Sequence, residues 1–115
     1  MHELSLADAI LRVVEEAAAR EHFTRVAQLR LEAGALAGVE VQALRFAFDS
    51  LTTGTCLEGA QIIIDEPPGR AWCKRCNAEI DISSRIDPCP LCDGYPVVPT
   101  SGTELRVLEL QVHND

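Results

Sequence analysis

CKRCNAEIDISSRIDPCPLC, residues 73–92, contains two Cys-x-x-Cys pairs, Cys73/Cys76 and Cys89/Cys92, separated by twelve residues. A two-residue gap lets both thiolates of a pair turn toward one metal ion, and two pairs complete a tetrahedron. We therefore predict a structural Zn(II) site with these four cysteines as ligands. Such a closed site leaves no position for a substrate, so the metal would serve folding rather than catalysis.

Two other interpretations of the pairs remain open. Rubredoxin-like iron also binds four thiolates in a tetrahedron. A redox-active pair normally begins a helix, whose dipole lowers the thiol pKa, but Pro88 and Pro90 crowd the second pair. The fifth cysteine, Cys56, stands apart. It is interpreted as a small buried residue, with a reactive thiol or a further ligand as the alternative.

Outside the cysteine-rich segment the periodicity indicates a small α+β lobe. Strands are predicted over 25–33, 61–66 and 103–113, and a second helix over 40–51. The first helix is predicted to start at Ser5, with residues 1–4 protruding ahead of its first turn. Its apolar stripe is the set Leu6, Ala9, Ile10, Val13, Val14 and Ala17.

The predicted fold class is therefore α+β. A lobe of two helices and a three-stranded mixed sheet carries an inserted, zinc-ribbon-like lobe with the four cysteines. The predicted domain boundaries are 1–69 plus 102–115 for the first lobe and 70–101 for the second. The final strand is expected to return to the sheet of the first lobe, and it could leave an exposed edge for a homodimer.

Length and charge exclude several classes of protein. The chain has 115 residues, enough for one domain or one domain with a small appendage, and a net charge of -8. This charge argues against a nucleic-acid partner, because such binding depends on Lys and Arg. We find neither a signal peptide nor an apolar run long enough for the membrane, and no catalytic constellation. We therefore expect a cytoplasmic protein that is not an enzyme.

The amino terminus is the second place where metal chemistry is expected. Retained Met1 would leave its α-amine beside His2, and Glu3 follows. The amine, backbone amides and imidazole can close fused chelate rings, and deprotonated amides favour planar coordination of Ni(II) or Cu(II). Taken alone, a histidine at position two is weak evidence.

The start Met-His-Glu-Leu-Ser resembles that of the HypA/HybF family of hydrogenase-maturation nickel metallochaperones. Further stretches with the same order and spacing are similar to that family, and together they cover essentially the whole chain. They are the ranges 29–34, 44–49, 54–55 and 58–60 and the two cysteine pairs.

The resemblance implies a transient Ni(II) site in one lobe and structural Zn(II) in the other. His2 would supply its imidazole and an amide, Glu3 an amide, and Met1 the α-amine. It also implies delivery of nickel, with a partner GTPase, to the [NiFe]-hydrogenase large subunit, and in some bacteria toward urease. A zinc-ribbon adaptor between proteins, without a second metal, is the alternative.

In one respect this chain departs from some relatives, which carry histidines beside their cysteine pairs. No histidine lies between residues 70 and 102 here, and the others are His22 and His113. We interpret both as surface residues rather than ligands. Communication between the two expected metal sites must therefore use something other than imidazole.

Overall fold

The computed structural model describes residues 2–95 and 97–113, which form two helices and six strands. The helices and the predicted strands lie within two residues of the expected ranges, except for the start of the first helix. The elements are α1 His2–Glu21, β1 Val26–Ala33, α2 Val41–Leu51, β2 Gln61–Asp65, β3 Gly69–Cys73, β4 Ala78–Ile82, β5 Val97–Ser101 and β6 Leu105–Val112.

Two three-stranded sheets organise these elements, with orders β2-β1-β6 and β4-β3-β5. His113, just past β6, donates its N–H to Arg25, just before β1, so β1 and β6 are antiparallel. Ala35, just past β1, donates to Pro67, just past β2, so those two strands run in the same direction. The first sheet is therefore mixed, and the α+β fold class, including the return of the last strand, is confirmed.

The described residues divide into two compact units, each discontinuous along the chain. We call the set 2–31, 40–64 and 107–113 the helical unit, and the set 32–39, 65–95 and 97–106 the cysteine unit. The boundaries predicted from the sequence, 1–69 plus 102–115 for one lobe and 70–101 for the other, remain a prediction.

The helical unit buries one face of each helix, and α1 and α2 contact each other. The predicted stripe of α1 was wrong in part, because Val13 is 57% exposed and Ala9 is also exposed. The small Ala7 and Ala18 are buried instead, so the buried face of α1 is rotated about the helix axis relative to the predicted stripe. The buried residues of α1 are Ala7, Ile10, Leu11, Val14 and Ala18.

The start of α1 differs from the prediction. The helix includes His2, so residues 2–4 form its first turn instead of protruding ahead of it. Asp8 pairs with Arg12 one turn later, at 3.1 Å. Glu3 places a carboxylate in the first turn, where the helix dipole favours negative charge. Met1 lies outside the described residues.

The cysteine unit includes a segment that precedes α2 in the chain. Three consecutive N–H groups, those of Gly34, Ala35 and Leu36, donate to the carbonyls of Glu104, Pro67 and Gly102. The backbones pass so closely that a Cβ on Gly34 would lie 2.2 Å from the Gly102 carbonyl oxygen. Sequence periodicity did not predict that this segment belongs to the cysteine unit, because the segment is held by backbone hydrogen bonds between distant parts of the chain.

Neither described helix is long and apolar enough to cross a membrane.

Gly34→Ala should destabilise the metal-loaded protein by about 3 kcal/mol, because the new methyl group meets backbone that cannot rotate away. Gly38→Ala is the matched control. Gly38 has φ +74° but open space around its Cβ position, so only the left-handed backbone strain of roughly 1 kcal/mol applies. Denaturant unfolding followed by circular dichroism measures both, and equal losses would contradict the close-packing argument.

Candidate metal centres

The four paired cysteines converge at one point of the cysteine unit. Their sulfur atoms all lie within 4.8 Å of one another. The Sγ atoms of Cys73 and Cys92 are 3.7 Å apart, and those of Cys76 and Cys89 are 3.8 Å apart. A tetrahedron with metal–sulfur bonds of about 2.3 Å has edges of about 3.8 Å. Two of the six sulfur–sulfur distances therefore match the edges of such a tetrahedron, and all four sulfurs lie close enough to share one ion.

Two similar turns hold the sulfurs in place. Cys73 ends β3, and the N–H of Cys76 donates to its sulfur at 3.4 Å, just as the N–H of Leu91 donates to Cys89 at 3.4 Å. The residue after each pair, Asn77 or Asp93, has a positive φ near 55–58°, which Asn and Asp tolerate better than most residues. Each turn thus directs two thiols toward the same point.

The protonation of the thiols also suits a metal ion. The backbone N–H of Cys76 is the main cause that lowers the pKa of Cys73 to about 7. A hydrogen bond with Cys92, followed by burial, raises the pKa of Cys76 to about 12. Four crowded thiols therefore share protons, and a divalent cation would displace those protons because it stabilises all four thiolates.

Burial protects this cluster from solvent on one side. Cys73 and Cys89 have no exposed surface, and the cluster that contains them also includes Leu36 and Ala71. Cys76 and Cys92 are half-buried. Four sulfur ligands with two of them fully covered leave no open position, so the site can hold a metal but cannot present one to a substrate.

Cys56 lies away from this cluster, in the loop between α2 and β2. It is buried, and burial is the first cause that raises the pKa of its thiol, followed by the nearby Glu15 carboxylate. Its carbonyl accepts the N–H of Val26 at 2.9 Å, which ties the loop to the start of β1. These contacts agree with the interpretation of Cys56 as a small buried residue.

The second expected site begins at the first turn of α1. His2 is exposed, and the Glu3 carboxylate accepts the backbone N–H of Glu40 at 3.1 Å. That hydrogen bond is the main cause that lowers the pKa of Glu3. The first N–H groups of a helix have no acceptor within it, so the amides of His2 and Glu3 are not used by the helix.

Glu40 is a residue that sequence reasoning missed. It is the N-cap of α2, and its two carboxylate oxygens accept the N–H groups of Gln42 and Ala43 at 3.3 and 2.6 Å. Glutamate is an uncommon N-cap, so no local signal identified it. The hydrogen bond from its N–H to the Glu3 carboxylate connects the start of α2 to the start of α1.

The other two histidines lie elsewhere. His22 directly follows α1 with φ 60°, the left-handed conformation that commonly ends a helix. The N–H of His113 bonds to Arg25. Within residues 2–95 and 97–113, the four cysteines are the one set of three or more potential ligands that lies close enough for a shared ion.

Comparisons with known proteins agree on one family. Residues 1–112 match the family model described as "Hydrogenase/urease nickel incorporation, metallochaperone, hypA". The chain is 58% identical over 114 residues to "Hydrogenase maturation factor HypA" of Cupriavidus necator, covering 99% of this chain and 96% of that protein. It is 49% identical over 115 residues to the protein of the same name from Polaromonas naphthalenivorans, covering both completely.

Solved structures show the same fold at lower identity. The solution structure of the Ni metallochaperone HypA from Helicobacter pylori superimposes with a TM-score of 0.67 at 19% identity, covering 98% of each chain. A second solution structure of a HypA protein gives a TM-score of 0.65 at 21% identity, covering 98% of this chain and 97% of that one.

Cys73→Ala should abolish stoichiometric metal binding and unfold the cysteine unit, because three thiolates cannot close the tetrahedron. The helical unit should keep its helical circular dichroism. Cys56→Ala is the matched control and should retain the metal. Metal analysis and limited proteolysis measure the outcome, and full metal content with protease resistance between residues 70 and 102 in the Cys73 variant would refute the assignment.

Proposed function

The chain belongs to the HypA family of nickel-incorporation metallochaperones, and from this premise we propose that its residues Met1, His2 and Glu3 carry the nickel. The four-cysteine site would hold Zn(II) permanently, since a closed thiolate tetrahedron is typical of structural zinc. The chain would then have no turnover of its own. We place it in the cytoplasm, where such a thiol site stays reduced.

The donors at the terminus cannot all share one plane. The Met1 α-amine, the His2 imidazole and the Glu3 amide would each close a chelate ring with the amide nitrogen of His2. A donor joined to the His2 amide nitrogen by such a small ring must occupy a coordination position next to that nitrogen. In a square plane, each donor has two such neighbouring positions. The α-amine takes one, so the imidazole and the Glu3 amide compete for the other.

The helical first turn favours the imidazole. His2 lies within α1, where the backbone angle ψ is about −42°. A flat chelate ring through the amides of His2 and Glu3 needs ψ near zero, so it would unwind the first turn. Coordination by the imidazole leaves Glu3 helical, with its carboxylate placed by Glu40. In this arrangement Glu3 contributes negative charge close to the cation.

One position of the plane then needs a donor from outside these three residues. Water can fill it during transport, and a ligand of the receiving protein can replace that water at transfer. This incomplete coordination supports a delivery role, because the metal can be passed on without first losing all of its ligands.

A protein partner at this end of the helical unit is supported by exposed apolar surface. Leu4 is 46% exposed and Phe46 is 73% exposed, and both line a groove of about 330 Å³ that also includes Glu3. We propose that the partner GTPase of hydrogenase maturation contacts the chain here, and that the recipient is the large subunit of [NiFe]-hydrogenase, with urease as a second recipient.

His2→Ala should weaken Ni(II) binding by at least about tenfold and change the d–d absorption of planar nickel, because the imidazole is lost and only the Glu3 amide, at the cost of unwinding the first turn, could take its position. His22→Ala is the matched control and should bind as the wild type does. Titration of untagged protein measures both, since a tag would block the α-amine. Equal affinities and spectra would refute the terminal site, and one bound zinc with no nickel uptake would favour the adaptor alternative.

Nickel capture should weaken as the pH falls from about 8 to about 6. Free α-amines and imidazoles bind protons near pH 8 and pH 6.5, and each must lose its proton before it binds the metal. Protonation therefore competes with nickel more strongly at the lower pH than at the higher. Apparent affinity measured across this range checks the sign, and a constant affinity would contradict coordination by these groups.

A further inference from the structure

The side chain of Arg75 extends from the first cysteine pair to the loop that follows the second. Arg75 lies between Cys73 and Cys76 in the sequence. A Cβ built on Gly94 would be 2.9 Å from Nη1 of Arg75 and 3.4 Å from Sγ of Cys92. The guanidinium and this sulfur therefore both lie beside Gly94, within the range of about 6 Å over which a cation stabilises an anionic group.

Backbone hydrogen bonds fix the position of Gly94 within the cysteine unit. Its carbonyl accepts the N–H of Cys89 at 3.0 Å, and the N–H of Asp93 donates to the carbonyl of Cys89 at 2.7 Å. The φ of Gly94 is outside the left-handed region, so its backbone conformation does not require glycine. The missing side chain instead leaves space for the guanidinium of Arg75.

Arg75 has no carboxylate or carbonyl partner among residues 2–95 and 97–113. The other arginines of the cysteine unit are each bonded to such a group. Arg70 is bonded to Glu79 and Asp81, Arg85 to the carbonyl of Leu36, and Arg106 to Glu32. The positive charge of Arg75 is therefore not compensated by a neighbouring acid.

The four cysteines create a need for positive charge when they bind a metal. One divalent cation compensates two of four thiolates, so two negative charges would remain at the site. Cys92 is one of the two half-buried members of the cluster. A cation close to its thiolate favours the metal-bound form, because all four thiols lose their protons on binding.

We propose that Arg75 stabilises zinc at the four cysteines by placing its positive charge beside the thiolate of Cys92. Arg75 acts through this ligand and does not bind the metal itself. The inference rests on the proposed zinc site, and it involves residues of the cysteine unit alone.

Arg75→Gln should lower Zn(II) affinity about threefold, an effect typical of a charge pair near the surface. Lys74→Gln is the matched control, because it removes the same charge from the same turn and Lys74 is also exposed. It should leave the affinity nearly unchanged. Titration against a competing chelator measures both variants. Equal losses in the two, or no loss in Arg75→Gln, would overturn the inference.

Gly94→Ala separates the position of the charge from its presence. The new methyl group would displace the flexible end of Arg75, whereas its 3.4 Å distance to the Cys92 sulfur is an ordinary contact. Zinc affinity should therefore fall about as much as in Arg75→Gln. Combining the two substitutions should cause little further loss, since residues in contact are not additive. Fully additive losses would contradict the proposed contact.

The spectrum of the Co(II)-substituted protein tests the charge at the sulfur directly. A nearby cation lowers the energy of the thiolate electrons, so Arg75→Gln should move the thiolate-to-cobalt charge-transfer band to longer wavelength. Lys74→Gln should leave the band in place. Metal binding with wild-type affinity and spectrum in Arg75→Gln would refute the role of Arg75 alone. A wild-type protein that binds neither zinc nor cobalt at the cysteines would refute the proposed site together with this inference.

Discussion

The convergence of four thiols is the constraint on which the cysteine unit depends. The core cluster of this unit contains six buried residues, of which two, Cys73 and Cys89, are themselves potential ligands. So few apolar side chains cannot offset the conformational entropy of ordering three short strands and their loops. A metal bound by all four sulfurs would link two turns that are distant in sequence, and it would thereby fix β3, the turn to β4 and the loop that leads to β5.

A feature of the fold or of the site could be predicted from the sequence when the residues that determine it lie close together in the chain. The cysteine pairs were recognisable because ligand spacing is a local property, and the helices and strands of the helical unit followed from their periodicity. The start of α1 was mispredicted because Glu3 is fixed by Glu40, far along the chain. The recruitment of Leu36 was missed for the same reason, since backbone bonds to Gly102 leave no trace in side-chain pattern.

The family assignment and the physical argument support different parts of the conclusion. Composition and spacing alone led to a metal-stabilised protein without a catalytic constellation, and they could not separate a chaperone from an adaptor. The order of short motifs along the whole chain carried the family, which the matched residues 1–112 show. The geometry of the thiols then explains why the cysteine site suits a resident metal, while the exposed His2 suits a cargo.

The two expected metal sites differ in the number of ligands that the chain can supply. The cysteine unit offers four sulfur donors within 4.8 Å of one another, so an ion bound by all four would have no vacant position. The first three residues offer three in-plane donors at most, because one amide nitrogen has only two neighbouring positions in a plane. An ion held by these donors would therefore need a fourth ligand from outside the first three residues. A carrier needs that incompleteness, since an acceptor can begin to bind the metal before the carrier has released it.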